Sequence, residues 1–390
     1  IHCPRKGCIF NDAHKRSETA IPVVLIDENI YRRLPSLVIG TVDKFARLPW
    51  EPRIGALFGH VNAYCTGHGW ITTTDNHPKK RCNQNIIHNL ETGLVPPTLI
   101  IQDELHLVSG PLGTMMGLYE TAADILCSCT ERIENHLPKI IASTATIKGA
   151  DSQVKGLFAR KIIQFPSNGI DIDDNGFART LNLDEYPGRC YLGIFAPGKS
   201  VKTALLRVYA VIMNTVFKAK IEGVEDEILD PYWTLIGYFN SIRELGGARR
   251  LVEDDIPKRL EYLAAKTKVK RKISLCRQIN HFDEITARKK SKEIPDILQK
   301  LDLTVGTANV MDVILASNMI SVGMDIDRLG IMVVNGQPKS TAEYIQAGSR
   351  IGRQYPGLVV TVYNWSRPRD ISHFEKFKAY HQVFYKFVEP

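Results

Sequence analysis

The sequence predicts an α/β protein with two parallel-sheet domains, and three observations support this prediction. Short apolar runs bounded by proline, glycine or turn-forming residues alternate with stretches long enough for helices, as in chains whose parallel strands are joined by helices. The 390 residues exceed the usual length of one domain. An acidic, turn-rich stretch separates two such halves. We therefore expect a first domain at 1–165, a linker at 166–188 and a second domain at 189–390.

Positive charge is concentrated in one part of the chain. The net charge is +8, and residues 241–300 carry 16 Lys and Arg against 9 Asp and Glu. A basic segment is as typical of a nucleic-acid surface as of a solvated helical face, so both interpretations stay open. The chain has no apolar run long enough for a membrane span and no signal peptide. We expect a cytoplasmic protein without membrane contact and, since the chain begins at Ile1, a piece of a longer protein.

Two adjacent carboxylates, Asp103 and Glu104, follow an apolar run that begins at Leu99. This run lies between proline and glycine and predicts a buried strand of a parallel sheet, whose ligands bind beyond the carboxyl ends of the strands. One carboxylate suits a Mg²⁺ that accompanies substrate phosphates, and the next suits a base that orients an attacking water. The pattern has the form of a Walker B box of the DExH type. The alternative is a surface turn with two solvated acids.

Polar residues follow two further strand candidates. The apolar run 35–40 precedes Thr41 and Lys44, which suit a phosphate contact, although Thr41 is also an ordinary helix cap. The run 138–146 predicts another buried strand and ends in small hydroxyl residues. Those hydroxyls either hydrogen-bond the carboxylates of the neighbouring strand or form a plain exit into a loop.

The segment Gly193–Ser200 matches the phosphate-loop pattern G-x-x-x-x-G-K-S, between a strand at Arg189–Phe195 and a helix. Against this interpretation, the loop contains Phe195 and Pro197, whereas a phosphate cradle needs free backbone amides. Gly193 itself is expected within the strand. The segment also follows the two carboxylates, whereas a phosphate loop precedes the Walker B strand. We therefore expect a chance match, with the functional phosphate loop upstream of Ile1.

A pair of arginines marks the second half of the chain. Arg350 and Arg353 are three residues apart in a helix expected at 341–352, so they are predicted to share one helical face. Such a pair suits a γ-phosphate and the charge that develops on it. A surface pair at a helix end is the alternative.

Cysteine and histidine residues cluster near the start. Four cysteines, Cys3, Cys8, Cys65 and Cys82, lie among several histidines in two polar stretches, 1–20 and 59–95. The first pair resembles a loose zinc knuckle, and the second pair is widely spaced. A Zn²⁺ that orders this insertion and an insertion without metal are both compatible with the spacing.

Taken in order, these motifs resemble those of superfamily 2 helicases and translocases, whose core is two RecA-like domains. The matching segments are Thr41–Lys44 (motif Ic), Asp103–His106 (II), Thr144–Thr146 (III), Tyr238–Ser241 (IV), Ala316–Asp325 (V) and Gln346–Arg353 (VI). Three longer strings resemble the helicase subunit of a bacterial anti-phage system, DISARM: Leu105–Thr114, Gly336–Gln346 and Arg367–Glu375. Ser349 and Ser317 stand where the family usually has Gly and Thr. Motifs Q and I have no counterpart in the chain.

The resemblance implies an ATP- and Mg²⁺-dependent enzyme that closes its two domains on ATP and moves along nucleic acid, DNA rather than RNA. It implies Asp103 at Mg²⁺, Glu104 at the water, and Gln346, Arg350 and Arg353 at the γ-phosphate. It also places Gly323 and Asp325 near the nucleotide, Thr41, Lys44, Asn240 and Ser317 at the nucleic-acid backbone, and His106, Thr144 and Thr146 between the two sites. The implied partners are other defence subunits, including a methyltransferase, in a bacterial or archaeal cell.

Two other functions remain compatible with the residues. The chain is either a catalytically inactive clamp that binds nucleic acid through a zinc element, or a phosphate-loop enzyme of another class, such as a kinase, that uses Lys199. The intact pair Asp103 and Glu104, together with both motif VI arginines, speaks against an inactive clamp.

Overall fold

The chain folds into two compact units, Ile1–Ile163 (unit 1) and Gln164–Pro390 (unit 2). The structure is a computed structural model, and at 86–89 and 110–111 it describes the backbone only. It describes the chain except residues 1, 4–6, 12–19, 42–43, 45–49, 73–81, 83–85, 90–92, 106–107, 109, 129–136, 145–149, 168–169, 172–173, 175, 178, 180, 183, 185, 187, 267–275, 291–292, 318–325 and 386–390. Within the described part, no helix is both long and apolar enough to cross a bilayer.

Unit 1 contains two small sheets and three α-helices among its described residues. The strands are β1 (Ala63–Cys65), β2 (Gly69–Ile71), β3 (Ile86–Asn89), β4 (Leu99–Gln102) and β5 (Lys139–Ala142). The helices are α1 (Asp27–Arg33), α2 (Gly110–Ser128) and α3 (Ala150–Phe158), with a 3₁₀ helix at Pro52–Phe58. β1 pairs with β2 and β3 in an antiparallel sheet, and β4 pairs with β5 in parallel. α2 and α3 enclose a cluster of buried side chains around Leu105 and Met116.

Unit 2 is organised around one six-stranded parallel sheet in the order β6-β11-β10-β7-β9-β8. Its strands are β6 (Arg189–Phe195), β7 (Leu235–Phe239), β8 (Phe282–Ile285), β9 (Val313–Ala316), β10 (Ile331–Asn335) and β11 (Gly357–Tyr363). Consecutive strands β9 and β10 lie on opposite sides of β7, and β6 lies at the edge beside β11. The strand order therefore reverses near β7 and β10, where ligands of such sheets commonly bind.

Helices cover both faces of this sheet. They are α4 (Val201–Ile221), α5 (Asp226–Trp233), α6 (Ile242–Arg250), α7 (Ile256–Lys266), α8 (Glu293–Leu301), α9 (Thr341–Gly348), α10 (Pro368–Glu375) and α11 (Phe377–Val383), with a π-helical turn at Leu251–Asp255. Successive residues of β7 enter opposite cores: Leu235 packs with residues of α4 and α6, and Ile236 packs with residues of α8 and α9. Strands buried on both faces read as continuous apolar runs in the sequence. The expected α/β fold class is confirmed.

Two strand predictions in unit 1 need correction. The apolar run 35–40 forms no strand, and Leu37 and Ile39 are exposed there. β4 and β5 do form, but they are not buried, since Ile101 and Ile141 are largely exposed. Among the described residues, β4 and β5 pair only with each other, so they form a two-stranded ribbon and not the interior of a larger sheet.

Candidate functional site

The carboxylates Asp103 and Glu104 lie at the carboxyl end of β4, beside the end of β5. The hydroxyl of Ser143, which directly follows β5, donates a hydrogen bond to Asp103 Oδ1. The backbone N–H of Glu104 donates to the same oxygen at 2.9 Å. Oδ1 therefore receives both bonds, which leaves Oδ2 of this exposed carboxylate available to a cation. The expectation that a hydroxyl of the next strand contacts the carboxylate is confirmed, with Ser143 as that residue.

Glu104 occupies an unusual backbone conformation. Its φ is +54°, in the left-handed region that non-glycine residues adopt only when their surroundings enforce it. The next residue supplies that constraint: Leu105 is fully buried, and its N–H donates to the carbonyl of Ser143 at 2.9 Å. Gln153 of α3 donates to the carbonyls of Leu105 and Val108 at 2.9 and 2.8 Å. The strand, the buried leucine and the glutamine together fix the direction in which Glu104 leaves the sheet.

The arginines of motif VI lie beyond their helix, not within it. α9 ends at Gly348, and Ser349 and Arg350 form a turn, so the prediction that Arg350 and Arg353 share one helical face is wrong. The helix cannot continue because Gly352 has a φ of +67° and its N–H bonds to Leu329 rather than to the preceding turn.

Four contacts hold the chain around these arginines. Arg189 of β6 donates to the carbonyl of Ile351 at 2.5 Å and to that of Ser349 at 3.3 Å. Arg353 lies 3.7 Å from Asp327 in a partly exposed ion pair. Ser349 donates its hydroxyl to the carbonyl of Gln346, which is partly buried near the end of α9. The turn is therefore fixed through its backbone. Arg350 itself is partly buried.

The start of α9 is tied to the central strand β7. Ser340 caps the helix and accepts from the N–H of Glu343, and Tyr238 donates to the Glu343 carboxylate at 2.6 Å. Burial, and next the hydrogen bond with Glu343, raises the pKa of Tyr238, so the phenol stays protonated as a donor. Tyr238 belongs to the motif IV segment, and Glu343 lies in the helix that leads into motif VI. This contact therefore links motif IV to that helix inside unit 2.

Asn240, expected at the nucleic-acid backbone, is committed to contacts within unit 2. Its side-chain nitrogen donates to the carbonyls of Asn335, Gly336 and Gln337 at 3.1, 3.4 and 3.2 Å. Asp370, which is fully buried, clasps the same loop by accepting from the N–H of Gln337 at 3.2 Å. Asn240 therefore shapes the loop at the carboxyl ends of β7 and β10. Sequence reasoning missed Asp370, although it lies in one of the recognised strings.

The other residues expected at nucleic acid differ in exposure. Thr41 is exposed. Lys44 is exposed as well, and its ammonium lies 2.7 Å from the carboxylate of Asp27 in α1. Ser317, directly after β9, is buried, so its side chain does not lie on the surface. His106, Thr146, Gly323 and Asp325 lie outside the described residues, and Thr144 is partly buried next to Ser143.

A cavity of about 180 Å³ lies at the carboxyl edge of the unit 2 sheet. Apolar residues of α4 and α6 form its walls, and its polar lining includes Lys202, Asn335 and Arg367. Glu244 faces this group, pairs with Arg367 and accepts from Asn335 at 3.4 Å. The cavity thus places two cations at the reversal point of the strand order.

The phosphate-loop match has the wrong geometry for a phosphate cradle. Gly193 lies inside β6, where an added Cβ would meet the ring of Phe377 at 2.9 Å. The following turn is tight, and the N–H of Lys199 donates within it to Ala196 at 3.2 Å. Pro197 has no N–H to offer, so two positions of this loop cannot donate to a phosphate. The expectation that Gly193 belongs to the strand is confirmed.

Three metal-ligating side chains converge in the small antiparallel sheet of unit 1. Cys65 Sγ lies 3.7 Å from Cys82 Sγ and 3.6 Å from His68 Nδ1, and the three ligand atoms are all within 4.8 Å of one another. Within the described part of the chain, Cys3 and Cys8 do not join this group. They lie instead in a separate loop, where the N–H of Cys3 bonds to Phe10 and the carbonyl of Cys8 accepts from Asn11. The structure thus unites the second predicted pair and adds His68.

Comparisons with known proteins give one domain match and one relative that is similar along the whole chain. The helicase conserved C-terminal domain matches residues 251–354. The chain is 51% identical, over its whole length, to the DISARM protein DrmA of Bacillus paralicheniformis, and it covers 34% of that protein. It thus spans about one third of the length of this curated relative.

Solved helicase structures are similar to a lesser degree. The DUF1998 helicase MrfA bound to DNA aligns with 73% of this chain and 33% of its own, at 17% identity and a TM-score of 0.49. Helicase Lhr of Mycobacterium smegmatis, bound to ssDNA and AMP-PNP, aligns with 75% of this chain and 31% of its own, at 12% identity and a TM-score of 0.43. The chain thus matches the helicase conserved C-terminal domain over residues 251–354 and is similar along its whole length to the DISARM protein DrmA.

Proposed function

We propose that the chain is the ATPase and translocation core of a DNA helicase that acts in anti-phage defence. The observation that carries this proposal is the strand-end contact between Asp103 and Ser143, which joins the expected motif II carboxylate to the expected motif III segment. A surface turn with two solvated acids does not require a buried leucine, a glutamine clasp and a left-handed glutamate beside it. The identity to DrmA supports the defence role.

In unit 1 we assign the water-activating chemistry to Glu104 and the metal contact to Asp103. Asp103 fits Mg²⁺, since one carboxylate oxygen is held by Ser143 and the other is open to solvent on an exposed side chain. Mg²⁺ at this carboxylate would neutralise charge on the β- and γ-phosphates of ATP. Glu104 would accept a proton from the attacking water, and its fixed backbone keeps the carboxylate aimed at one place.

In unit 2 we assign the phosphate contacts to Arg350 and Arg353, with Gln346 beside them. Both arginines extend from a turn whose backbone is held by Arg189, so the guanidinium groups are carried on a fixed base. A guanidinium at the γ-phosphate stabilises the charge that develops there during hydrolysis. Gly323 and Asp325 keep their proposed place near the nucleotide.

We assign the nucleic-acid contacts to the exposed Thr41 and Lys44 and to the cavity edge with Lys202 and Arg367. Ligands of such sheets bind where the order of the β-strands reverses, and cations there suit the backbone phosphates of a nucleic acid. Phosphate contacts do not depend on the base sequence. Asn240 acts indirectly, by shaping the loop at this edge. His106, Thr144 and Thr146 would couple this site to ATP, and other defence subunits are the proposed protein partners.

The test is ATP hydrolysis by the complete protein that contains this chain, with and without single-stranded DNA or RNA of equal length. We expect turnover that DNA stimulates, and DNA binding that ignores base sequence and weakens steeply with salt, as backbone contacts require. Absence of nucleic-acid-stimulated turnover would overturn the proposal. Binding that is sequence-specific and insensitive to salt would also overturn it.

A further inference from the structure

We propose that Cys65, His68 and Cys82 bind a structural Zn²⁺ ion that holds the antiparallel sheet of unit 1 together. The site is separate from the carboxylates and arginines of the proposed ATPase, and it does not depend on that function. Its ligand set also differs from the one that cysteine spacing suggested, because His68 takes part and Cys3 and Cys8 do not.

Two of the three distances between the ligand atoms match the edges of a zinc tetrahedron. Bond lengths of about 2.3 Å for Zn–S and about 2.0–2.1 Å for Zn–N give tetrahedron edges of about 3.8 Å between two sulfurs and about 3.6 Å between sulfur and nitrogen. The structure has 3.7 Å between Cys65 Sγ and Cys82 Sγ, and 3.6 Å between Cys65 Sγ and His68 Nδ1. A disulfide would bring the sulfurs to about 2.05 Å, so the two thiols are not joined by one and their separation fits two ligands of a single ion.

The local fold brings the three ligands together from one turn and from the segment before the third strand. Cys65 is the last residue of β1, and His68 ends the turn to β2, closed by its N–H bond to the Cys65 carbonyl at 3.2 Å. Cys82 comes before β3, in which Ile86 pairs with Cys65. Two ligands from one tight turn and one from the approach to the third strand would tie all three strands to a single ion.

The described side chains of this sheet form a small apolar cluster. It contains Ala63, Cys65 and Ile71, with Cys82 packed against them, and no further members among the side chains that the structure describes. Small units without a sufficient apolar core are commonly stabilised by a metal, whose binding free energy then contributes directly to folding. Two thiolates and an imidazole favour zinc over magnesium or calcium, which prefer oxygen ligands.

The sheet in turn supports the helix that precedes the motif Ic segment. Gly69 of β2 approaches α1 so closely that a Cβ there would lie 2.3 Å from the Arg32 carbonyl. The Arg32 guanidinium donates back to the carbonyl of Trp70 at 3.2 Å, and α1 also carries Asp27, the partner of Lys44. Loss of zinc should therefore loosen Lys44. This last step rests on the proposed role of Lys44 in nucleic-acid binding, whereas the metal site does not.

The test measures zinc content and Co²⁺ spectra of the full chain purified under reducing conditions. We expect about one zinc per chain, and a tetrahedral Co²⁺ spectrum with sulfur charge-transfer bands after exchange. The substitutions Cys65→Ser and Cys82→Ser should lower metal affinity at least about 100-fold, since even an outer-shell change costs about 10- to 100-fold. Cys3→Ser and Cys190→Ser are the matched controls and should keep full zinc content.

A second variant covers the case in which serine at the buried position 65 prevents folding. His68→Ala should lose the metal while unit 2 stays folded, and His68→Cys should restore binding with a Co²⁺ spectrum shifted by a third thiolate. Removal of the metal should also speed hydrogen exchange in β1–β3 and leave the six-stranded sheet unchanged. Absence of stoichiometric metal, a Cys65–Cys82 disulfide in the reduced preparation, or zinc loss from Cys3→Ser alone would each overturn the proposal.

Discussion

Replacing Arg353 with alanine separates its contribution to stability from its proposed contribution to catalysis. In the structure Arg353 pairs with Asp327 at 3.7 Å, and 29% of the arginine side chain and 52% of the aspartate side chain are exposed. Exposed pairs of this kind stabilise a protein by about 0.2–1 kcal/mol. For a unit of the size of unit 2, about 1 kcal/mol corresponds to a shift of about 2–4 °C in Tm. Arg353→Ala should therefore lower Tm by no more than about 4 °C.

The expected effect of the same substitution on catalysis is far larger. An arginine at the γ-phosphate accelerates phosphoryl transfer by about 10³–10⁵, which corresponds to about 4–7 kcal/mol of transition-state stabilisation. DNA-stimulated ATP turnover by the complete protein should thus fall by at least about 1,000-fold. Such a loss cannot come from an ion pair worth about 1 kcal/mol at most.

Asp327→Asn is the matched control, because it weakens the same ion pair and leaves Arg353 in place. We expect this variant to show a similar small change in Tm and to keep its ATP turnover. The assay is steady-state ATP hydrolysis at saturating DNA, with thermal unfolding of each variant measured alongside. If Asp327→Asn reduces turnover as much as Arg353→Ala, the arginine acts by holding the turn together and the catalytic assignment fails. Turnover within about 10-fold of wild type in Arg353→Ala would refute it as well.

Two further predictions concern packing and pH. Gly193→Ala places a Cβ 2.9 Å from the Phe377 ring and should destabilise unit 2 by about 1–3 kcal/mol. The second substitution Phe377→Leu should restore part of this stability. The folded Gly193→Ala protein should keep its ATP turnover. Lost ATP binding without lost stability would instead place Gly193 in a phosphate loop. Burial, and next Asp124, raises the pKa of Glu120 to about 7, while Arg160 opposes the shift. The folded state therefore holds this proton more tightly than the unfolded chain, and the stability from protonated Glu120 is lost as pH rises from about 4.5 through about 7. In the Glu120→Gln variant, Tm should fall less steeply over that pH range, and above the range the variant should be more stable than wild type. An unchanged slope of Tm against pH would contradict this prediction.

In unit 2, Arg189–Phe195 was predicted as a strand with its full bounds, although this strand lies at the edge of the sheet and none of its residues is fully buried. The run 35–40 is equally apolar, yet it forms no strand. An apolar composition indicates that a segment can form a β-strand, but the strand forms only where a second strand is available to pair with it. No pattern local to 35–40 contains that information.

The candidate site shows the same division between local and long-range information. Asp103 and Glu104 were predictable because they directly follow an apolar run. The Ser143 hydroxyl depends on the parallel register in which Gln102 lies opposite Ala142, and the Gln153 clasp depends on how α3 packs. The end of α9 at Gly348 follows from the bond between Gly352 and the distant Leu329, so a helical face through Arg353 was the wrong prediction.

Partner choice at polar side chains was the least predictable feature. Asn240 sits where the family places a nucleic-acid contact, but its amide bonds to three carbonyls of the loop after β10. The cysteine ligands were predicted as four thiols, and the structure groups two of them with His68. In both cases the residue type was informative, and the partner was set by chain segments far away in sequence.

The central claim is that ATP is hydrolysed at Asp103 and Glu104, and that Lys199 takes no part. The most direct measurement compares DNA-stimulated ATP turnover of the complete protein carrying Glu104→Gln, Lys199→Ala, or the exposed control Glu227→Gln. The account predicts that Glu104→Gln lowers turnover by about 10²–10⁴ while DNA binding persists, and that Lys199→Ala and Glu227→Gln match wild type. If Lys199→Ala abolishes turnover and Glu104→Gln leaves it intact, the nucleotide site has been assigned to the wrong residues.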